Sequence, residues 1–215
     1  MTPASADIPL VQRVMNPALL IVDMQNDFVR AGAPLEVAEA RSTIAPIQRL
    51  AGAFRQLGRP VIYTRFLAEQ SPGLMWLWSP QCGSEVKCCW PGVSRRYQDT
   101  PGELECAAVI DELSPAAGDP IVDKYGYGSF HNTQLDALLR ERGVQSLVVT
   151  GTVAQICVEQ TAREAFHYGY RTTVVSDGVS SFDHELKAAA LKNFAMKFGW
   201  VADSETVIGW LGQAA

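Results

Sequence analysis

Three residues of this chain have the types needed for covalent chemistry and stand where reactive side chains are least expected: Asp23, Lys124 and Cys157. Asp23 ends the apolar run Ala18-Leu19-Leu20-Ile21-Val22, and Lys124 ends Pro120-Ile121-Val122-Asp123. Cys157 follows Ser146-Leu147-Val148-Val149-Thr150 across a turn that holds Gly151. A charge beside an apolar strand is costly unless it is paired or functional. A thiol is weakly nucleophilic at neutral pH, but the free N–H groups of a helix N-terminus favour thiolate and can also hold an oxyanion. The residues alone therefore supply an acid, a base and a nucleophile. The alternative for Cys157 is a small apolar residue that packs its helix on a sheet.

The elements that must position these residues alternate between strand and helix. Pro17 to Met24 reads as a first strand, buried on both faces. A helix follows, capped by Ser42 or Thr43, with Ile44, Ile47, Leu50, Ala51 and Phe54 on one face and Gly58 at its end. Pro60 to Arg65 is the second strand and Pro120 to Asp123 the third, with a helix opened by Thr100-Pro101-Gly102 between them. Asn132 caps a helix that stops at Gly143, a fourth strand runs from Ser146, and the helix carrying Cys157 in its first turn stops at Gly169. Arg171 to Asp177 is a β-branched fifth strand. A helix from about His184 to Phe198 is capped by Ser181 or Asp183, and a last short strand near Trp200 precedes a C-terminal turn. Such alternation predicts βαβ units, a parallel sheet and a three-layer α/β/α domain. Ligands of open parallel sheets bind outside the carboxyl ends of the strands, where all three reactive residues fall.

Two stretches stand apart. Met1 to about Val14 reads as a loose N-terminus, and residues 66–98 hold Trp76, Trp78 and Trp90 in a connection too long for an ordinary loop. The loop serves either as a lid lining the pocket or as a subunit contact that buries tryptophans. The whole chain, 1–215, reads as one domain.

Composition narrows the classes of function. A net charge of −5 leaves no basic footprint for nucleic acid, and no apolar run is long enough to span a membrane. Without signal-peptide character at the N-terminus, a cytoplasmic protein is expected. Five cysteines, an odd number, fit a reducing compartment better than a disulfide framework. Cys82, Cys88 and Cys89 lack the spacing and nearby histidines of a zinc site, and Cys106 stands alone. His131, His167 and His184 sit at helix ends with no metal-ligand spacing. Phe28, Tyr125 and Phe130 flank the reactive residues and are candidates for lining a pocket.

The segments LLIVDMQNDF, IVDKYGYGSF and VVTGTVAQICVEQTAREA, beginning at Leu19, Ile121 and Val148, resemble those of the isochorismatase-like cysteine hydrolases, and the likeness runs from about Pro17 to about Gly199. The resemblance implies a Rossmann-like, six-stranded parallel sheet in the order 3-2-1-4-5-6. It also implies an Asp23, Lys124, Cys157 triad, a cis peptide between Thr152 and Val153, and an oxyanion hole made by the N–H groups of Val153 and Cys157. Many relatives carry Thr or Ser where this chain has Ala154. Nicotinamidases carry metal-binding histidines just after the second strand, where this chain reads Tyr63-Thr64-Arg65-Phe66. True isochorismatases lack the cysteine. The resemblance therefore implies the N-carbamoylsarcosine amidase-like branch: cleavage of a C–N bond in a small linear amide or ureido compound through a thioester, with no cofactor or metal, by a homo-oligomer, dimer or tetramer. The competing readings are an isochorismatase-type vinyl ether hydrolase, an inactive oligomeric scaffold, and a redox protein using Cys88-Cys89 or Cys82.

Overall fold

The alternating strands and amphipathic helices close into one open sheet. The computed structural model describes residues 10–68 and 86–214. In chain order its elements are α1 (Leu10–Arg13), β1 (Pro17–Val22), α2 (Asn26–Val29), α3 (Ala40–Gln56), β2 (Val61–Phe66), β3 (Ser94–Arg96), β4 (Glu103–Glu105) and β5 (Ile121–Lys124). These are followed by α4 (Leu135–Glu141), β6 (Ser146–Thr152), a π-turn (Ala154–Val158), α5 (Glu159–His167), β7 (Arg171–Ser180), α6 (His184–Lys197), β8 (Trp200–Ala202) and α7 (Ser204–Ala214).

The sheet runs β5-β2-β1-β6-β7-β8 with every pairing parallel, which is 3-2-1-4-5-6 when only its own strands are counted. β1 is buried along its whole length. Its side chains alternate between two cores: Leu19 and Ile21 pack with α3 and α7, while Ala18, Leu20 and Val22 pack with α4, α5 and α6. Val22 pairs with Thr64 of β2 on one side and Gly151 of β6 on the other. Only glycine fits at that crossing, because φ is +111° and a Cβ would lie 2.0 Å from the Val22 carbonyl oxygen. The backbones of β1 and β6 thus meet closely just before Asp23 and Cys157 leave the sheet.

Several local expectations are corrected. The helix expected after Thr100 is replaced by the antiparallel ribbon of β3 and β4 and a short 3-10 turn at Asp111–Leu113. The backbone there bonds instead to the turn after β1: Asn26 N–H donates to Ala108 O, the Asn26 amide to Glu105 O and the Gln25 amide to Ala107 O. α4 begins at Leu135, not after an Asn132 cap, because Asn132 has φ +53°, outside helical space, and Thr133 Oγ1 accepts the Leu135 N–H instead. The C-terminal turn is an eleven-residue helix, α7, whose Val207 and Leu211 are buried. Within the N-terminus expected to be loose, Leu10–Arg13 form α1. Asp183 caps α6 by accepting the Leu186 N–H, and Gly169 ends the helix before β7 with φ +90°. Cys88 is disulfide-bonded, against the expectation of unpaired thiols, while Cys89, Cys106 and Cys157 are free. Trp76, Trp78 and Cys82 lie outside the described residues.

Candidate active site

Three strand ends converge on one buried cluster. Asp23 leaves β1, Lys124 ends β5, and Cys157 sits in the π-turn after β6. Asp23 and Lys124 are fully buried and Cys157 is 3% exposed. Asp23 has φ +52°, a left-handed conformation that costs a side-chain-bearing residue roughly 1–3 kcal/mol. Its N–H donates to Thr64 O and its carbonyl accepts the Gln25 N–H, so the turn is held from both sides. The Thr152–Val153 peptide is cis.

The two carboxylate oxygens of Asp23 have different surroundings. Oδ1 accepts the Thr64 hydroxyl at 2.7 Å. Oδ2 lies 2.7 Å from the Lys124 ammonium, in a fully buried ion pair. The Lys124 ammonium also donates to the carbonyls of Gly126 and Tyr127, both at 3.0 Å, and lies 5.4 Å from the centre of the Phe66 ring. Burial alone would lower the Lys124 pKa, but Asp23 and the Cys157 sulfur more than offset it and hold the pKa above the ordinary 10.5. The ammonium therefore stays charged.

Cys157 departs from the sequence expectation of a favoured thiolate. Burial pushes its thiol up to about 12 from the ordinary 9.0, with the Asp23 charge and the thiol's hydrogen bond to Asp23 acting the same way. Lys124 and the Val153 N–H pull in the opposite direction and do not win. The physical reason is burial: removing the thiolate from water costs more than the Lys124 charge, itself partly balanced by Asp23 at 2.7 Å, returns. The resting site is thus a neutral thiol beside a carboxylate that is paired with an ammonium. Such a site can move one proton from sulfur to Asp23 as sulfur attacks.

The pocket candidates separate. Phe28 is buried against Phe66, with ring centres 6.5 Å apart, and Phe66 stacks on Tyr127 at 6.3 Å. Tyr127, which sequence reasoning missed, thereby takes the place expected of Tyr125, which is 44% exposed and lies near Arg65. Phe130 stacks on Tyr168 at 4.9 Å and belongs to the core beneath α4 to α6, which also holds Cys157. Ala154 is buried in that same core. Thr64 and Gln25 were also missed. Gln25 donates to Phe66 O and accepts the Phe66 N–H, fixing the end of β2 beside Lys124. The signal for Thr64 lay in register, since it pairs with Val22, the residue before Asp23.

A cleft of about 560 Å³ opens nearby, lined among others by Gly126, Tyr127, His131, Gln155, Glu159 and Arg163. It includes none of the three reactive residues. Gln155 and Ile156, which line it, directly precede Cys157 in the π-turn. Among the described residues, no cluster of three or more His, Cys, Asp and Glu side chains is placed to hold a metal ion, and no helix is long and apolar enough to cross a membrane.

Comparison with known proteins identifies the family and the fold. The sequence pattern of the isochorismatase domain matches residues 17–206. Ureidoacrylate amidohydrolase RutB of Pseudomonas syringae pv. syringae is 34% identical over 205 residues, covering 90% of this chain and 83% of that protein. The crystal structure of a cysteine hydrolase from Pseudomonas syringae pv. phaseolicola superimposes with a TM-score of 0.82 at 28% identity, over 97% of this chain and 96% of that one. N-carbamoylsarcosine amidase from Thermoplasma acidophilum gives a TM-score of 0.71 at 31% identity, over 89% and 98%.

Proposed function

The chain belongs to the isochorismatase-like cysteine hydrolase family, and on that premise we propose that it hydrolyses the C–N bond of a small ureido or linear amide compound, with Cys157 as nucleophile. The observation that carries the reading is the buried contact of a neutral Cys157 thiol with Asp23, whose charge is balanced by Lys124 at 2.7 Å. Relatives named for ureidoacrylate and N-carbamoylsarcosine support the ureido class.

The steps follow from the geometry. Cys157 sulfur attacks the carbonyl carbon while its proton passes to Asp23, so no free thiolate has to exist in a site that disfavours it. The negative charge moves from carboxylate to the carbonyl oxygen, where the N–H groups of Val153 and Cys157 receive it. Lys124 stays charged throughout, which lowers the cost of placing negative charge on either Asp23 or the tetrahedral oxygen. Asp23 then protonates the departing nitrogen, the C–N bond breaks, and an acyl group remains on sulfur. Water enters, gives a proton to Asp23 and attacks the acyl carbon, and the C–S bond breaks to restore the thiol.

The test is turnover of ureidoacrylate and N-carbamoylsarcosine followed by amine or ammonia release, together with intact-mass analysis after acid quench. Expected is hydrolysis of a ureido substrate with a transient adduct on Cys157. Turnover of a vinyl ether with no adduct would instead assign the isochorismatase-type reaction.

A further inference from the structure

A second carboxylate of the same turn, Asp27, takes no part in that reaction, although it is fully buried. Its Oδ1 accepts the Tyr97 hydroxyl at 2.7 Å and lies 3.0 Å from Arg95 Nε, and its Oδ2 accepts the Cys89 N–H at 2.8 Å. Arg95 extends the connection by donating to the carbonyls of Val86 and Lys87. Cys89 in turn accepts the Ala68 N–H through its carbonyl, and the neighbouring Leu67 N–H donates to Lys124 O. A continuous line of bonds therefore joins Asp27 through Cys89 to the backbone of the triad lysine.

Cys89 itself is unusual. It is fully buried, in the same core as Met24, Phe28, Phe66, Ala68 and Val153, the residues that flank the site. It also has φ +53°, a left-handed conformation that a residue with a Cβ adopts at a cost and glycine adopts freely. Such a conformation persists where the surroundings over-determine it. The Cys89 N–H bond to Asp27 and the Cys89 carbonyl bond to Ala68 do so on either side of the residue.

We infer that Asp27 is a positioning residue: its carboxylate holds Cys89 in the left-handed conformation, so that the Cys89 carbonyl keeps its bond to Ala68 and the Leu67 and Ala68 backbone stays docked on Lys124. Its consequence for turnover rests on the proposed cysteine chemistry, while its consequence for the access of reagents to Cys157 does not. A role confined to global stability would leave kcat/KM of the folded enzyme unchanged. Because the Cys89 backbone and not its side chain makes the connection, the positioning role makes glycine there a suppressor.

The experiment compares the full-length wild type with Asp27→Asn, Asp27→Asn/Cys89→Gly and Asp27→Asn/Cys89→Ala. The rate of Cys157 carbamidomethylation by iodoacetamide is read by peptide mass spectrometry, and kcat and KM are measured with ureidoacrylate. Asp27→Asn is expected to label Cys157 about tenfold faster and to lose about tenfold in kcat/KM, as the backbone beside Lys124 shifts, admits reagent and misplaces substrate. The double variant with glycine is expected to return within about threefold of wild type and the one with alanine to stay with Asp27→Asn, because only glycine removes the left-handed cost. Should Asp27→Asn fail to fold, Tyr97→Phe, which removes one bond to the same carboxylate, takes its place in all three variants. Unchanged labelling on loss of the Asp27 contact, or glycine and alanine behaving alike, would overturn the inference. If wild type leaves ureidoacrylate intact while the labelling pattern holds, the substrate reading falls and the positioning role stands.

Discussion

Asp23 and Asp27 stand four residues apart after the same strand, both are fully buried, and each has a cation within 3.0 Å, yet their surroundings suit them to opposite tasks. Asp27 is held by the Tyr97 hydroxyl, the Cys89 N–H and Arg95, and Cys157 is not among these partners. Asp23 is held by the Thr64 hydroxyl and the Lys124 ammonium and also bonds the neutral Cys157 thiol. What separates a proton shuttle from a clamp here is neither residue type nor burial. It is whether a nucleophile with a proton to give stands among the partners.

The largest effect that can test this contrast is at the nucleophile. Cys157→Ala is expected to fold as wild type by circular dichroism and to lose on the order of 10⁴ or more in kcat. Retention of wild-type turnover on a ureido substrate would remove the covalent reading and with it the assignment of Asp23 as shuttle.

Next comes the carboxylate beside the thiol. Asp23→Asn is expected to lower kcat by about 10² to 10⁴ while Cys157 remains available to iodoacetamide, because the amide cannot carry the proton. If Asp23→Asn cost no more in kcat than Asp27→Asn, measured side by side, the distinction drawn between shuttle and clamp would fail.

Lys124→Met asks what the buried charge does for the fold. Removing one partner of a buried pair leaves Asp23 uncompensated and is expected to lower stability by about 3–5 kcal/mol in urea unfolding. The exposed pair of Arg49 with Glu205 offers the contrast: Glu205→Gln is expected to change stability by less than about 1 kcal/mol.

The smallest effect is a dependence on alkaline pH. The folded protein holds the Cys157 proton up to about 12, whereas an unfolded thiol releases it near 9.0, and Cys89 is shifted the same way. Between these values the native state binds more protons, so stability is fully present below about pH 9 and falls as pH rises towards 12. Lys124, raised above 10.5, adds to the loss at the upper end. Thermal unfolding from pH 7 to 11 should show the decline. The rate of Cys157 alkylation should keep climbing over the same range, and a plateau near neutral pH would mean that the lysine field does reach the sulfur.

Much of this was legible in the order of the residues. Apolar runs ended by Asp23 and Lys124, a glycine turn before Cys157 and strand-helix alternation fixed a parallel sheet and the end of it that matters, because period and punctuation are local properties. Even the crossing at Gly151 was marked by a residue type. What the chain could not show on its own was charge balance. The expectation of a favoured thiolate weighed Lys124 and the helix start but not burial, and the closed surroundings of Cys157, with Asp23 paired to the lysine, leave the thiol neutral. The stretch after Thr100 was likewise decided at a distance, by Gln25 and Asn26 capturing its backbone. So was the choice of Tyr127 over Tyr125 beside Phe66. Sequence determined which groups arrive at the strand ends. Tertiary structure decided which of their protons and lone pairs remain unspent, since burial and pairing are set by atoms far away along the chain.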